Sequence, residues 1–366
     1  HRDLHSFPTR RSSDLKNLKW KVKLDLPGFN SPIVWGEFLF VSGANKQNMK
    51  VYCYNALTGK LRWEKPIDNI PGSPAAKPKV TDDTGLAAPG MATNGTHVFA
   101  IFATGDLVCF DFNGNQLWAK NLGVPKNHYG HSSSLICWEN LVLVQYDHSA
   151  SRNLFAFKAE NGNMAWQANR SGLISWSSPI IVHDQNPPQI LLNNDPNLAA
   201  YDLSNGKELW KLECLSGEIG ASPAYFGGMA IATNAYSKMT AVHISSPSQM
   251  VWEAYDYLPD ASSPVAWNNM VFTASSAGEV ACFNLMNGKE LWLHEFDYGF
   301  YASPIVADGK VYLLDRMGTM HIVKANSVFE LIAQPAINEK TDCTPAFANG
   351  YIYIKSKENL FCFSKL

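Results

Sequence analysis

Three carboxylates are the side chains of this chain best suited to hold a metal ion. Glu218, Asp260 and Asp342 each precede, by two to four residues, a Ser-Pro or Thr-Pro pair. Carboxylate oxygens are preferred ligands of hard cations, so the three form a candidate Ca²⁺ site if their side chains converge.

Aromatic, imidazole and amide side chains occupy comparable places elsewhere in the chain. The full set of ligand-binding candidates is Phe29, Asn30, His128, Tyr129, His131, Trp176, Glu218, Asp260, Tyr301 and Asp342. Rings, carboxylates and imidazoles that meet at one opening are typical of a ligand site. For each residue taken singly, the alternative is that it lines a water-filled channel.

An internal repeat positions these residues. A Gly followed four residues later by Trp recurs at Gly59/Trp63, Gly114/Trp118, Gly162/Trp166, Gly206/Trp210 and Gly288/Trp292. Trp252 has Ser248 in the Gly position, Leu331 is assigned to the Trp position of one copy, and Trp20 is an isolated Trp at the start. Ser-Pro before an apolar run recurs at Ser31, Ser178, Ser222, Ser263 and Ser303. Weaker copies bring the total to eight, at about 44 residues each.

Each copy contains four short runs of β-branched and aromatic residues separated by Asn-Gly, Asp-Gly or Gly-Lys turns. Four antiparallel strands at this period are typical of a β-propeller blade. The last copy ends after three strands, and Trp20 lies in a lone strand at the start. The sequence therefore predicts an all-β, eight-bladed propeller over residues 16–366, closed by the N-terminal strand joining the last blade.

The first fifteen residues are interpreted separately. Residues 1–15 read HRDLHSFPTRRSSDL, which resembles a translated sequencing-library adapter, and they contain no apolar core of a signal peptide. We therefore predict that this segment is non-native and that residues 16–366 form a single propeller domain.

Composition excludes several classes of protein. Hydrophobic residues make up 46% of the chain and charged residues 17%, which excludes a disordered chain. A net charge of -2 gives no basic surface for nucleic acid or an anionic membrane. No apolar run reaches the ~18 residues that a transmembrane helix requires.

The repeat also explains most residues that suggest chemistry. Cys53, Cys109, Cys282 and Cys362 share one third-strand position that other copies fill with Ala or Ile. This pattern predicts a buried packing position rather than a disulfide or metal ligand. Cys137, Cys214 and Cys343 fall outside that position, and the odd total of seven leaves at least one free thiol.

The repeat also assigns most of the tryptophans to structural positions. Seven, Trp20 included, fill the repeated position and are predicted to pack between blades, while Trp35, Trp138 and Trp267 share a place after the Pro position. Trp176 is the one left over, and it is either a ligand-binding residue or a single exposed aromatic. A Pro- and Gly-rich insertion at residues 64–85 is predicted to be a surface loop or a flap over one face.

The repeat resembles that of a known family. Residues 198–210, LAAYDLSNGKELW, are similar to the tryptophan-docking motif of PQQ-type, quinoprotein-like propellers. That family includes PQQ-dependent alcohol dehydrogenases, the outer-membrane assembly lipoprotein BamB and exported propellers without an assigned role. The resemblance implies an exported, periplasmic setting more than it implies a reaction.

Three functions follow from this resemblance. The favoured one is a monomeric, non-catalytic propeller that binds a protein partner or small ligand at its channel face without a cofactor. An alternative is a PQQ- and Ca²⁺-dependent alcohol or sugar dehydrogenase. There Asp260 or Asp342 would be the general base and Trp176 would stack on the quinone. The vicinal Cys pair of many such enzymes is missing. A third is a BamB-like scaffold that offers blade loops or edges to an outer-membrane barrel machine.

Overall fold

A computed structural model describes residues 17–244 and 248–364, which form eight antiparallel sheets of four strands each. The segment interpreted as adapter-derived, residues 1–15, lies outside the described residues. In seven of these sheets the strands neighbour one another in chain order, and the first is a short innermost strand of two or three residues; the eighth sheet joins the two ends of the chain. The predicted eight-bladed propeller is confirmed. No helix in the described ranges is long and apolar enough to cross a membrane.

The strand bounds follow the repeat. The chain begins with β1 (Leu18–Lys23) and continues into blade 1, which contains β2 (Ile33–Trp35), β3 (Phe38–Ala44), β4 (Met49–Asn55) and β5 (Leu61–Pro66). Blade 2 contains β6 (Ala92–Thr93), β7 (His97–Ile101), β8 (Asp106–Asp111) and β9 (Gln116–Asn121). Blade 3 contains β10 (Ile136–Trp138), β11 (Leu141–His148), β12 (Ser151–Lys158) and β13 (Met164–Asn169). Blade 4 contains β14 (Ile180–Val182), β15 (Gln189–Asn193), β16 (Asn197–Asp202) and β17 (Glu208–Glu213).

The second half of the ring repeats the arrangement. Blade 5 contains β18 (Ala224–Phe226), β19 (Met229–Thr233), β20 (Met239–His243) and β21 (Gln249–Ala254). Blade 6 contains β22 (Val265–Trp267), β23 (Met270–Ala274), β24 (Glu279–Asn284) and β25 (Glu290–Glu295). Blade 7 contains β26 (Ile305–Ala307), β27 (Lys310–Leu314), β28 (Met320–Lys324) and β29 (Leu331–Ala333). Blade 8 contains β30 (Ala346–Ala348), β31 (Tyr351–Lys355) and β32 (Asn359–Ser364).

The ring closes through strand pairing between the two ends of the chain. β1 pairs antiparallel with β32, which places Leu18 opposite Phe363 and Trp20 opposite Cys362. The closing sheet therefore has the order β1-β32-β31-β30, as the sequence predicts. Closure of this kind supplies the outermost strand of the last blade and joins the two ends of the ring.

The repeated Trp of one blade packs on the repeated Gly of the next. A Cβ atom at Gly162 would lie 2.7 Å from Cδ2 of Trp118, so a larger residue cannot fit without displacing the ring. Gly162 also has a φ of 69°, which glycine adopts more readily than other residues. The indole Nε1 of five such tryptophans donates to a backbone carbonyl of the next blade: Trp20 to Ala56, Trp63 to Phe112, Trp118 to Ala159, Trp252 to Leu285 and Trp292 to Asn326. The predicted packing between blades is confirmed.

The repeated third-strand position that holds Cys or Ala in most blades is small for a structural reason. It lies directly opposite the docked Trp in the sheet register, as Cys53 does opposite Trp63. In blade 7 the residue opposite Ile322 is Ala333, whereas Leu331 is opposite Val323, so the assignment of Leu331 to the Trp position is wrong. In blade 7, therefore, the larger Ile322 lies opposite the small Ala333, whereas in the other blades a small residue lies opposite Trp. All seven cysteines are free, and burial raises the pKa of the Cys53 thiol to about 12.

The Ser of the Ser-Pro signature links the innermost strands to one another. The backbone N–H of Ser134 donates to Oγ of Ser178, whose own N–H donates to Oγ of Ser222. The same contact continues through Ser263 and Ser303, from blade to blade, at 2.9 Å each. These hydrogen bonds run from blade 3 to blade 7 and join the segments that precede the innermost strands.

Candidate functional site

A cleft of about 680 Å³ opens on the face where the chain enters the innermost strands. Loops leading into blades 3 to 7 line it, and five of the predicted residues lie there: Tyr129, Trp176, Glu218, Asp260 and Tyr301. The size is that of an ordinary small-ligand or side-chain site. The repeat brings these loops together because each one occupies the same place in its own blade.

Tyr129 and Trp176 form an aromatic corner of the cleft. Their rings meet edge to face, with centroids 5.0 Å apart and planes at 71°. The indole Nε1 of Trp176 donates to Oδ1 of Asn127 at 2.8 Å, and its backbone N–H donates to the carbonyl of Ile219 at 2.9 Å. These bonds hold Trp176 against the loops of blades 3 and 5, so its ring is positioned before any ligand arrives.

Glu218 completes this corner from blade 5. Its Oε2 accepts the hydroxyl of Tyr129 at 2.8 Å, although the two residues are 89 positions apart in the chain. The hydrogen bond to this carboxylate raises the pKa of Tyr129. Glu218 is exposed, so its carboxylate is accessible to a ligand.

Asp260 is held by its own loop and by a neighbouring turn. Oδ1 accepts the backbone N–H of Ala261 at 2.9 Å, and Oδ2 accepts the hydroxyl of Ser276. The carboxylate is therefore fixed in direction rather than free to move toward Glu218.

Tyr301 carries a cation on its ring. The guanidinium of Arg316 lies 3.7 Å from the ring centroid, a cation–π contact. Nε of the same Arg316 donates to Oδ1 of Asp342 at 2.7 Å, which raises the pKa of Arg316. Asp342 is thus the counter-ion of Arg316, and it does not line the cleft.

The insertion between blades 1 and 2 reaches the cleft, as the flap alternative predicts. The backbone N–H of Thr81 donates to the carbonyl of Tyr129 at 3.4 Å, and Val80 packs so closely that a Cβ at Gly130 would lie 2.7 Å from its Cγ1. Asp83 and Thr84 then line the cleft. The insertion is anchored at its base by the buried Leu86, whose carbonyl accepts the N–H of Ala103.

Besides Asp342, four predicted residues lie outside this cleft. Asn30 is fully buried, and its amide bonds to the backbone of Ser42 and Ala87, which makes it a structural residue. Phe29 packs toward Gly85 of the insertion. His131 is buried beside Tyr146, with ring centroids 5.0 Å apart, and burial lowers its pKa to about 4.

His128 is the fourth. It is exposed, and its ring lies 3.8 Å from that of Tyr129 and 6.5 Å from that of Trp176. It therefore supports the aromatic corner from the rim.

The carboxylates do not fit a Ca²⁺ site. Among the described residues, no group of three or more His, Cys, Asp or Glu side chains is placed to hold a metal ion. Each predicted ligand has another partner instead: Tyr129 for Glu218, Ser276 for Asp260 and Arg316 for Asp342. The convergence that the sequence left open is absent from this part of the chain.

The cleft is also a poor match for PQQ, which carries three carboxylates. Its charged lining consists of Asp83, Glu218 and Asp260, and no Lys, Arg or His of the described residues lines it. The nearby cation, Arg316, is already paired with Asp342. An anionic quinone would therefore meet repulsion rather than charge complementarity.

Several residues of the cleft were not among the sequence candidates. They are Thr81, Asp83, Thr84 and Tyr236, with Arg316 behind Tyr301. The insertion is visible as a long interval in the repeat, which was a usable signal for the first three. Tyr236 lies in the turn between β19 and β20, where the sequence offers no comparable sign.

Comparison of the sequence with known proteins identifies relatives of this chain. A family model described as outer membrane protein assembly factor BamB matches residues 47–292 and 249–341. The BamB protein of Yersinia pestis is 24% identical over 288 residues, which cover 73% of this chain and 71% of that protein.

Two solved structures have the same architecture. The crystal structure of BamB from Moraxella catarrhalis superposes with a TM-score of 0.70 at 15% identity, covering 95% of this chain and 97% of that one. A europium-containing methanol dehydrogenase superposes with a TM-score of 0.72 at 12% identity, covering 95% and 93%. At these identities the structural likenesses establish the fold alone.

Proposed function

The chain belongs to the PQQ-like β-propeller family described as outer membrane protein assembly factor BamB, and from that membership we propose that it is an exported, non-catalytic scaffold. In this proposal it receives part of a partner protein in the cleft at its channel face. The partner belongs to an outer-membrane assembly machine, as the name of the Yersinia pestis relative suggests.

The observation that carries the proposal is a cleft whose aromatic and acidic side chains are already positioned. Trp176 and Tyr129 are fixed by hydrogen bonds to Asn127 and Glu218. Rigid aromatic anchors surrounded by polar groups are typical of protein-binding hot spots, since little side-chain entropy is lost on binding.

The same geometry argues against the dehydrogenase alternative. A general base needs a carboxylate free to accept a proton from substrate. Asp342 is bonded to Arg316, and both oxygens of Asp260 accept hydrogen bonds from Ala261 and Ser276. The acidic lining of the cleft also disfavours an anionic quinone.

Site-specific photo-cross-linking in the native host tests the proposal. A photo-reactive residue at Tyr236, which is fully exposed at the cleft, should cross-link to an outer-membrane assembly component. The matched control position is Trp35, which is 52% exposed at the end of β2 on the opposite face. Equal cross-linking from both positions, or none from Tyr236, would contradict a partner at the channel face.

Thermal unfolding with PQQ tests the enzyme alternative on the same protein. A ligand that binds only the native state raises stability by about 2.7 kcal/mol at a hundredfold excess over its Kd. We expect no change in Tm with millimolar PQQ, with or without Ca²⁺. A Ca²⁺-dependent increase that is lost in Trp176→Ala would favour the dehydrogenase instead.

A further inference from the structure

We infer that the cleft recognises a basic segment of its partner, an extended stretch carrying Lys or Arg side chains. The inference rests on the proposed function, because it names the chemistry of the segment that the cleft would take. It depends on the charge of the lining, on the aromatic faces between the charges and on the way both are distributed over several blades.

The charge of the cleft is of one sign. Asp83 comes from the insertion, Glu218 from blade 5 and Asp260 from blade 6, and the described lining includes no cationic side chain. Burial raises the pKa of Tyr301, and Asp260 and Asp83 raise it further although Arg316 opposes them. A negative potential at the cleft attracts cationic groups and repels anionic ones.

The aromatic faces suit the same ligand. Arg316 covers one face of Tyr301 at 3.7 Å, so that face is not available to a ligand. On the other side of the cleft, the Tyr129–Trp176 corner lies directly beside the Glu218 carboxylate. A Lys or Arg side chain placed there would contact both an aromatic ring and a carboxylate.

Tyr236 adds an exposed ring to the rim of the cleft. Its side chain is fully exposed, and its backbone has a φ of 60°, which is unfavourable for a bulky residue. Single exposed aromatics are ordinary, but this one lies in the lining beside Asn234 and Ser237. It enlarges the surface that a bound chain can cover.

The distribution of the carboxylates favours a polypeptide over a single small cation. Asp83, Glu218 and Asp260 lie on three separate elements, and no three acidic side chains of the described residues are grouped to hold one metal ion, whereas successive basic side chains of one segment can meet them in turn. Linked contacts of this kind add their effects, because later contacts form at a high effective concentration. The cleft is therefore suited to several cationic side chains on one chain.

Calorimetric titration of the purified protein tests the chemistry, with hexaarginine, hexalysine and hexaglutamate as probes. The cleft variant is Glu218→Gln with Asp260→Asn. The matched control is Glu160→Gln with Asp184→Asn, which removes the same two charges from turns on the opposite face. We expect the basic peptides to bind, and the cleft variant to weaken them about tenfold. In the control the change should stay within roughly twofold, as expected for exposed charges.

Several results would overturn the inference. They are equal weakening by the cleft and control variants, no binding of the basic peptides, tighter binding of hexaglutamate, or binding of a neutral oligosaccharide such as cellohexaose that is lost in Trp176→Ala. Near-ultraviolet circular dichroism and Tm establish that each variant is folded, so a loss of binding is not a loss of structure.

The cross-link through Tyr236 separates this inference from the proposed function. If the cross-link forms and is unchanged in the cleft variant, the partner is real and recognition by basic side chains is wrong. If no assembly partner cross-links while the basic peptides still bind the cleft selectively, the chemistry of the cleft stands and the proposed function fails.

Discussion

Replacement of Gly162 by Ala tests whether docking of Trp on Gly joins the blades. Gly162 has a φ of 69°, and a Cβ there would lie 2.7 Å from Trp118. The matched control is Gly309→Ala, because Gly309 has the same φ of 69° and nothing within 4 Å of its would-be Cβ. The pair thus shares the backbone cost and differs in the contact with the ring.

The two costs are separable in magnitude. A left-handed Ala costs roughly 1–2 kcal/mol, which both variants lose. Crowding of the indole adds about 1–3 kcal/mol in Gly162→Ala alone. At an unfolding entropy of about 2.1 cal/mol/K per residue, each kcal/mol lowers the Tm of this chain by roughly 1.3 °C. We therefore expect a Tm decrease of about 3–6 °C for Gly162→Ala and about 1–3 °C for Gly309→Ala.

Differential scanning calorimetry of both variants measures the difference, and a third variant identifies its source. In a Trp118→Ala background the ring is absent, so Gly162→Ala should cost no more than Gly309→Ala. Equal Tm decreases for the two single variants would refute the docking argument. So would an extra cost of Gly162→Ala that persists when Trp118 is removed.

Three further predictions concern groups buried between blades. Burial lowers the pKa of His131 from an ordinary 6.5 to about 4, so the imidazole stays neutral in the folded protein above that pH. The free energy of unfolding should therefore fall by on the order of 3 kcal/mol as the pH drops from 6.5 toward 4. Urea titrations of His131→Phe should lack this loss. Trp118→Phe removes a 2.8 Å hydrogen bond to a carbonyl, whereas Trp166→Phe removes none, because Nε1 of Trp166 has no partner among the described protein atoms. In urea unfolding, Trp118→Phe should therefore lose about 0.5–1.5 kcal/mol more than Trp166→Phe. Asp147 and Arg170 form a fully buried ion pair at 2.6 Å, so Arg170→Leu should cost about 3–5 kcal/mol while Asp147→Leu with Arg170→Leu costs less; equal losses in denaturant unfolding would contradict this.

Local patterns in the sequence determined the scaffold. The Gly-Trp spacing, the Ser-Pro signature and the turn residues sufficed to predict eight blades of four strands, closure through β1, and the packing of Trp63 between blades. They succeed because each blade is built from short-range meander contacts that recur with the same residues. The one error within the repeat, at Leu331, arose because the fourth strand of blade 7 contains neither the Gly nor the Trp of the motif. The pairing of Ile322 with Ala333 shows that Ala333, two residues further on, occupies the Trp position.

Only the tertiary structure decided which candidates form the cleft. Asn30 and Trp176 occupy comparable places in their blades, yet one bonds to buried backbone and the other lines the cleft. The contacts responsible join distant parts of the chain, such as Glu218 with Tyr129 and Arg316 with Asp342. The loops that carry them occupy the same place in each blade but differ in sequence, so their conformations depend on neighbouring blades and the insertion rather than on a repeated local pattern. The repeat therefore specifies where a site can be, and contacts between blades specify its chemistry.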